Sequence, residues 1–168
     1  MRVISMGSEP DIRNTVSRLA DRLVELGVVL SAAESCTGGW LAKVCTDLPG
    51  SSAWFERGFV TYSNEAKQEM LGVREETLLS HGAVSEKTVV EMAVGALANS
   101  RAQIAVAISG IAGPGGGTPD KPVGTVCFAW AMEGREPHSE RCRFDGDREA
   151  VRLQAVRFAL HGLITLLQ

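Results

Sequence analysis

The sequence predicts an α/β protein, a mixed sheet covered by helices on both faces as three layers of a single domain over 1–168. Three observations predict it. Helix and strand patterns alternate through the first part of the chain. Residues 104–108, Ile-Ala-Val-Ala-Ile, form a continuous apolar run of the kind covered on both faces. Late in the chain a turn leads into a polar, alternating segment, the pattern of a closing hairpin.

Each element follows from its own signals. Ser8-Glu-Pro-Asp reads as an N-cap with an acid three residues on and proline in the first turn. Ile12, Val16, Leu19, Leu23 and Val24 then share one helical face, and Gly27 is a natural stop. Residues 28–33 are short, β-branched at their start and bounded by that glycine, a buried strand. Residues 40–46 read as a short helix that Asp47-Leu-Pro-Gly ends. Residues 55–62 form the next strand, and Ser63 caps a helix running to Met70 and ending near Gly72. Ser85-Glu opens another helix, with Val89, Met92, Ala93 and Leu97 inward. Strands follow at 104–108 and 124–131, then a turn at 133–136 and an edge strand at 138–144. Asp147 caps a C-terminal helix with Val151, Ala155, Phe158, Ala159 and Leu163 inward.

Composition bounds the function. The 168 residues carry a net charge of −3 and 5% aromatic residues. That balance supplies neither the basic stripe nor the stacking surface of a nucleic-acid binder. No run approaches a membrane span, and the first eight residues lack the apolar stretch of a secretory signal. Cys36, Cys45, Cys127 and Cys142 form no Cys-x-x-Cys pair, and the three histidines lie far apart. The expectation is a cytoplasmic protein with reduced thiols and no metal site. Trp54, Phe55 and the C-terminal helix offer either a self-association surface or core.

Chemistry in such folds gathers where loops leave the carboxyl ends of the strands. Two segments qualify. In Glu34-Ser-Cys-Thr-Gly-Gly, Gly38 and Gly39 open a helix whose N–H groups and dipole favour a negative ligand or a developing oxyanion. Ser35, Cys36 and Thr37 set two hydroxyls and a thiol beside those donors. Ser35 or Thr37 serves equally as a plain N-cap, and Cys36 is a rival nucleophile or a core thiol. A serine needs a base. Lys67, in the first turn of the helix after Tyr62, is a candidate, because burial and the positive dipole end both disfavour its protonated form. Tyr62 can relay or orient that proton. The bland reading is a solvated lysine and an ordinary strand-end tyrosine.

The second segment, Ser109-Gly-Ile-Ala-Gly-Pro-Gly-Gly-Gly-Thr, holds Gly110, Gly113, Gly115, Gly116 and Gly117. Their order is wrong for a dinucleotide fingerprint, and the segment leads into a strand rather than a helix. It reads as a flexible loop over a small anion, with Ser109, Thr118 and Lys121 as polar contacts, or as a connection without a ligand. Arg148 adds a cation at a helix start, or pairs with Asp145 or Asp147 and does nothing else.

These segments, with Gly58-Phe-Val-Thr-Tyr-Ser-Asn-Glu-Ala-Lys, Gly82-Ala-Val-Ser, Lys121-Pro-Val-Gly-Thr and Gly146-Asp-Arg in order, closely resemble the CinA C-terminal domain family. The resemblance runs from about Leu19 to the end. Stand-alone members of that family are nicotinamide-nucleotide amidohydrolases. It implies hydrolysis of the carboxamide of nicotinamide mononucleotide to nicotinate mononucleotide and ammonia, in pyridine nucleotide salvage, with no metal or organic cofactor. It implies Ser35 as nucleophile, Lys67 as general base and Tyr62 as supporting hydroxyl, through an acyl-enzyme. Cys36, Thr37, Gly38, Gly39, Ser109, Gly110, Gly113, Gly115, Gly116 and Arg148 would line the nucleotide site. Gly115 departs from the more polar residue common there. A homodimer or higher homo-oligomer is expected, and neither nucleic acid nor membrane as partner. The rival reading is a nucleotide-binding regulatory module without catalysis.

Overall fold

The computed structural model describes residues 1–4 and 11–168. Among them six strands, β1 (Arg2–Ile4), β2 (Leu30–Glu34), β3 (Phe55–Val60), β4 (Ile104–Gly110), β5 (Thr125–Met132) and β6 (His138–Phe144), form one mixed sheet. Its order is β1-β6-β5-β4-β2-β3. β2 runs parallel to both β3 and β4, and β5 is antiparallel to β4 and to β6. The expected late hairpin is therefore present.

Helices α1 (Ile12–Leu26), α2 (Trp40–Thr46), α3 (Asn64–Leu71), α4 (Glu75–His81), α5 (Glu86–Ala98) and α6 (Arg148–Leu166) cover both faces. Because side chains alternate along a strand, each central strand feeds two cores. Leu30, Ile104, Val106, Ile108, Val126 and Phe128 face α1, α2 and α6. Ala33, Ala105, Ala107, Ala129 and Ala131 face α3 to α5. On that second side α5 lies close against the end of α3: a Cβ on Gly95 would come 1.9 Å from the Leu71 carbonyl oxygen.

Capping set most helix boundaries. The side chains of Ser63, Ser85 and Asp147 accept from the N–H groups of Ala66, Thr88 and Ala150, as the sequence predicts. α1 is capped by Asp11, and the predicted cap Ser8 lies outside the described residues. Gly27 ends it in the left-handed conformation.

Several expectations need correction. Val24 points outward at 58% exposure, while Ala20 and Thr15 complete the buried face. Residues 138–144 are not the sheet edge, because β1 pairs alongside β6 in parallel. Trp54 is buried, so it belongs to the core rather than a free surface. α4, a short 3-10 turn at Ser51–Ala53 and β1 were not foreseen. No helix of the described residues is long and apolar enough to cross a membrane.

The topology decides where chemistry can sit. Parallel pairing brings the ends of β2, β3 and β4 to one edge of the sheet. β5 begins at that edge and β6 ends there, since Thr125 pairs with Arg143. The first turns of α6 therefore start at the same edge.

Candidate active site

At the end of β2 the Ser35 N–H donates to the Ile108 carbonyl at 2.9 Å, and the chain then leaves the sheet. Gly38 and Gly39 turn it with φ of 59° and 98°, left-handed values that side chains disfavour. Gly39 caps α2 but has no side chain with which to satisfy the first helical N–H groups. Glu34 does so instead. Its buried carboxylate accepts from Leu41 N at 2.9 Å and Ala42 N at 3.0 Å. The start of α2 is thus already occupied by a negative charge, and the expected use of its dipole for a ligand is restricted to donors earlier in the turn. Among the described residues the Thr37 N–H makes no hydrogen bond, whereas Gly38 N–H donates to Ser35 O and Trp40 N–H to Thr37 O.

Thirty-two positions on, Lys67 reaches the serine. Its Nζ lies 3.1 Å from Ser35 Oγ and donates to the Thr61 carbonyl at 2.8 Å. Thr61 is itself fixed, since its N–H donates to Glu34 O at 2.8 Å. The whole lysine is 2% exposed. Burial pushes its amine below the ordinary lysine range, favouring the neutral form. The predicted solvated alternative for Lys67 is therefore excluded.

Cys36 turns into the core with Leu41 and Trp54. Burial drives its thiol up to about 12, against the partial pull of Arg152. Thr37 is fully buried, and its Oγ1 has no partner among the described residues; the same holds for Thr61 Oγ1.

Tyr62 stands at the mouth, 62% exposed. Its hydroxyl accepts from Arg148 Nη2 at 3.0 Å and contacts neither Lys67 nor Ser35 by a hydrogen bond. Arg148 Nη1 donates to Gly113 O at 2.8 Å, tying the glycine-rich loop to the same cluster. The proposed pairing with Asp145 or Asp147 is not formed; Asp147 caps α6 and Arg148 has only neutral partners among the described residues.

The rest of the predicted lining divides. Ser109 is buried beside the serine's strand, with Oγ donating to Ala83 O at 2.8 Å, so it anchors the Gly82-Ala83 loop. Gly110 and Gly113 pack against Val126 and Val123. Gly115 and Gly116 lie exposed in the loop, and Lys121 Nζ donates to His81 O rather than into the cluster.

Sequence reasoning missed Glu34, Thr61 and Arg152. Arg152 Nε donates to Cys36 O at 3.0 Å and Nη2 to Thr37 O at 3.1 Å, with its guanidinium 5.3 Å from the Trp40 ring centroid. Its spacing of four from Arg148 on one helix was the available signal, because such residues share a helical face.

Fold and site together define an α/β protein in which a serine hydroxyl and a desolvated amine meet at the carboxyl ends of three parallel strands. The CinA C-terminal domain model matches residues 13–167, and the chain belongs to that family. It is 58% identical, over 93% of its length and 94% of the relative, to the Escherichia coli K12 protein named nicotinamide-nucleotide amidohydrolase PncC. It is 53% identical to the Pseudomonas putida protein of the same name, over 92% of this chain and 96% of that one. The crystal structure of a competence/damage inducible protein from Agrobacterium tumefaciens superposes with a TM-score of 0.92 at 47% identity, covering 98% of this chain and all (100%) of that one.

Proposed function

We propose that this chain hydrolyses the carboxamide of nicotinamide mononucleotide to nicotinate mononucleotide and ammonia, as a homo-oligomer serving pyridine nucleotide salvage in the cytoplasm. The contact that carries the reading is Lys67 Nζ at 3.1 Å from Ser35 Oγ, with the amine buried. The kinship to proteins named for this reaction supports the choice of substrate.

An amide is a poor electrophile with a poor leaving group, so cleavage needs a nucleophile, oxyanion donors and an acid. Ser35 Oγ attacks the carboxamide carbon as its proton passes to neutral Lys67 Nζ, and the carbonyl electron pair moves onto oxygen. Backbone N–H groups of the turn, Thr37 among them, hold that oxyanion. As the carbon–nitrogen bond breaks, the Lys67 ammonium returns the proton to nitrogen and ammonia leaves. Water then attacks the resulting ester, giving its proton to Lys67. The carbon–Oγ bond breaks, Ser35 recovers a proton from the Lys67 ammonium, and nicotinate mononucleotide departs.

Tyr62 accepts from Arg148, so its own proton is free to point into the site and support the leaving nitrogen. Arg148, exposed and with neutral partners only, grips the phosphate together with the Gly113 loop.

Incubation of the purified protein with nicotinamide mononucleotide should release ammonia and raise the substrate mass by about one dalton. Ser35→Ala is expected to lower turnover by about 10³-fold or more, the scale of losing a nucleophile that acts as a unit with its base. Saturable binding of the mononucleotide with no product would favour the non-catalytic module. Full activity in Ser35→Ala would remove the serine from the chemistry.

A further inference from the structure

Resting on the amide-hydrolysis reading, we propose that Arg152 is a positioning residue for the nucleophile turn, acting through the Cys36–Thr37 peptide on the backbone donor that meets the oxyanion.

The argument starts from a planar trans peptide, in which C=O and N–H point in opposite directions. Arg152 Nε draws the Cys36 carbonyl toward α6 at 3.0 Å. The Thr37 N–H of that same peptide therefore points away from α6. Like the Cys36 and Gly39 N–H groups it is a donor that the described residues leave unpaired, while the Gly38 and Trp40 N–H groups are taken within the turn; of the three, it is the one whose own peptide carbonyl Arg152 holds. Nη2 of the same guanidinium holds the next carbonyl, Thr37 O, at 3.1 Å. Both peptides flanking Thr37 are thus fixed by one rigid fork.

The fork also adds electrostatics. A cation hydrogen-bonded to the oxygen end of a peptide polarises it and strengthens its N–H as a donor. Glu34 contributes from the other side by occupying Leu41 and Ala42, which keeps the first helical donors out of competition for the oxyanion. An ammonium carries charge without the planar two-point geometry. The guanidinium carbon also lies 5.3 Å from the Trp40 ring centroid, a contact separate from the two carbonyl bonds that orient the turn.

A residue that only ties α6 to α2 would produce the same contacts, and the test separates the two roles. Arg152→Met keeps the apolar stem, and Arg152→Lys keeps stem and charge. Each is assayed for kcat and KM with nicotinamide mononucleotide and for two inhibitors. One is pyridine-3-boronic acid, whose boron takes up Ser35 Oγ to give a tetrahedral anion while the Oγ proton passes to Lys67. The other is nicotinate mononucleotide, the trigonal product. Both variants are expected to lose about 10–100-fold in kcat with KM within about threefold, the signature of an interaction made in the transition state. Boronate affinity should fall about tenfold or more and product affinity stay within about threefold.

Trp40→Leu, which removes the stacking partner and leaves the fork, is expected to retain kcat within about threefold. Equal weakening of boronate and product, retained kcat in both Arg152 variants, or a Trp40→Leu loss matching theirs would overturn the proposal. A wild-type protein inert to nicotinamide mononucleotide would show instead that the underlying reading had failed, before any variant is made.

Discussion

In the turn after β2, Gly38 and Gly39 have φ of 59° and 98°, and a Cβ at either would meet nothing closer than 3.5 Å. At the end of β4 and in the segment after it, Gly113 and Gly116 share left-handed φ values of 86° and 87°, but Gly110 and Gly117 do not, and a Cβ at these two would come 2.7 Å from Val126 and 2.8 Å from the Val123 nitrogen. The first pair is glycine for conformation and the second for space. The surroundings differ in the same way. The Ser35 turn is held by a carboxylate beneath it, an amine on its serine and an arginine on its carbonyls. The 114–120 stretch lies exposed, with Arg148 holding Gly113 just before it. Glycine richness alone therefore does not separate the two segments; convergent, buried polar contacts do.

The sharpest way to break this contrast is to change the amine that distinguishes the first region. A base must be neutral, and burial lowers the pKa of Lys67 from its ordinary 10.5. At low pH the amine is protonated and cannot take the serine proton. kcat/KM should therefore rise about tenfold per pH unit and level off below the pH where an ordinary lysine titrates. Lys67→Arg, which stays protonated throughout, is expected to lower turnover by about 10³-fold at every accessible pH. An unchanged acid limb in that variant would detach the profile from Lys67.

Next in size are the glycine replacements. Gly39→Ala forces a side chain into a left-handed backbone and is expected to cost about 1–2 kcal/mol. Gly110→Ala meets Val126 and the Thr125 carbonyl and should cost about 1–3 kcal/mol by overpacking. Gly115 has open space and no positive φ, so Gly115→Ala should stay within about 0.5 kcal/mol. Thermal unfolding reads these as about 2–4 °C per kcal/mol for a chain of this size. Activity adds the second axis: per folded molecule, Gly39→Ala loses turnover because Ser35 shifts, and Gly115→Ala does not. A Gly115→Ala protein as impaired as Gly39→Ala would erase the distinction between the two loops.

What the sequence made legible follows the same division between local and distant causes. The boundaries of α2, and the caps Ser63, Ser85 and Asp147, rest on contacts within a few residues, and the structure has them where the sequence predicts. β1 is three residues long and exists through pairing with β6, some 140 positions away, so no local pattern announced it. α4 lacks a capping side chain of its own. It leans on Glu91 of α5, which accepts from Arg74 N and Thr77 Oγ1. The meeting of Ser35 and Lys67 was readable because each sits at a strand-to-helix junction. For Arg152 the spacing of four from Arg148 marked only a shared helical face, since the carbonyls it meets lie 115 and 116 positions away.

The smallest expected effect concerns Cys36, the thiol adjacent to the serine. Ser35 and Cys36 are adjacent candidates for the proposed nucleophile, and the structure separates them by environment. Ser35 is part-exposed with an amine on its oxygen, whereas Cys36 is 6% exposed and packed into the core. Burial raises the thiol to about 12, so it is protonated at neutral pH, and the thiolate is the reactive form. Arg152 pulls in the opposite direction but does not overcome desolvation. Cys36→Ala removes one sulfur from a packed site and should cost about 1 kcal/mol or less in stability. Its kcat should stay within about twofold of the parent, because no step of the proposed reaction passes through sulfur. Steady-state assay of ammonia release decides the point. A loss comparable to that of Ser35→Ala would transfer the covalent step to the thiol and make the Lys67–Ser35 contact a structural one.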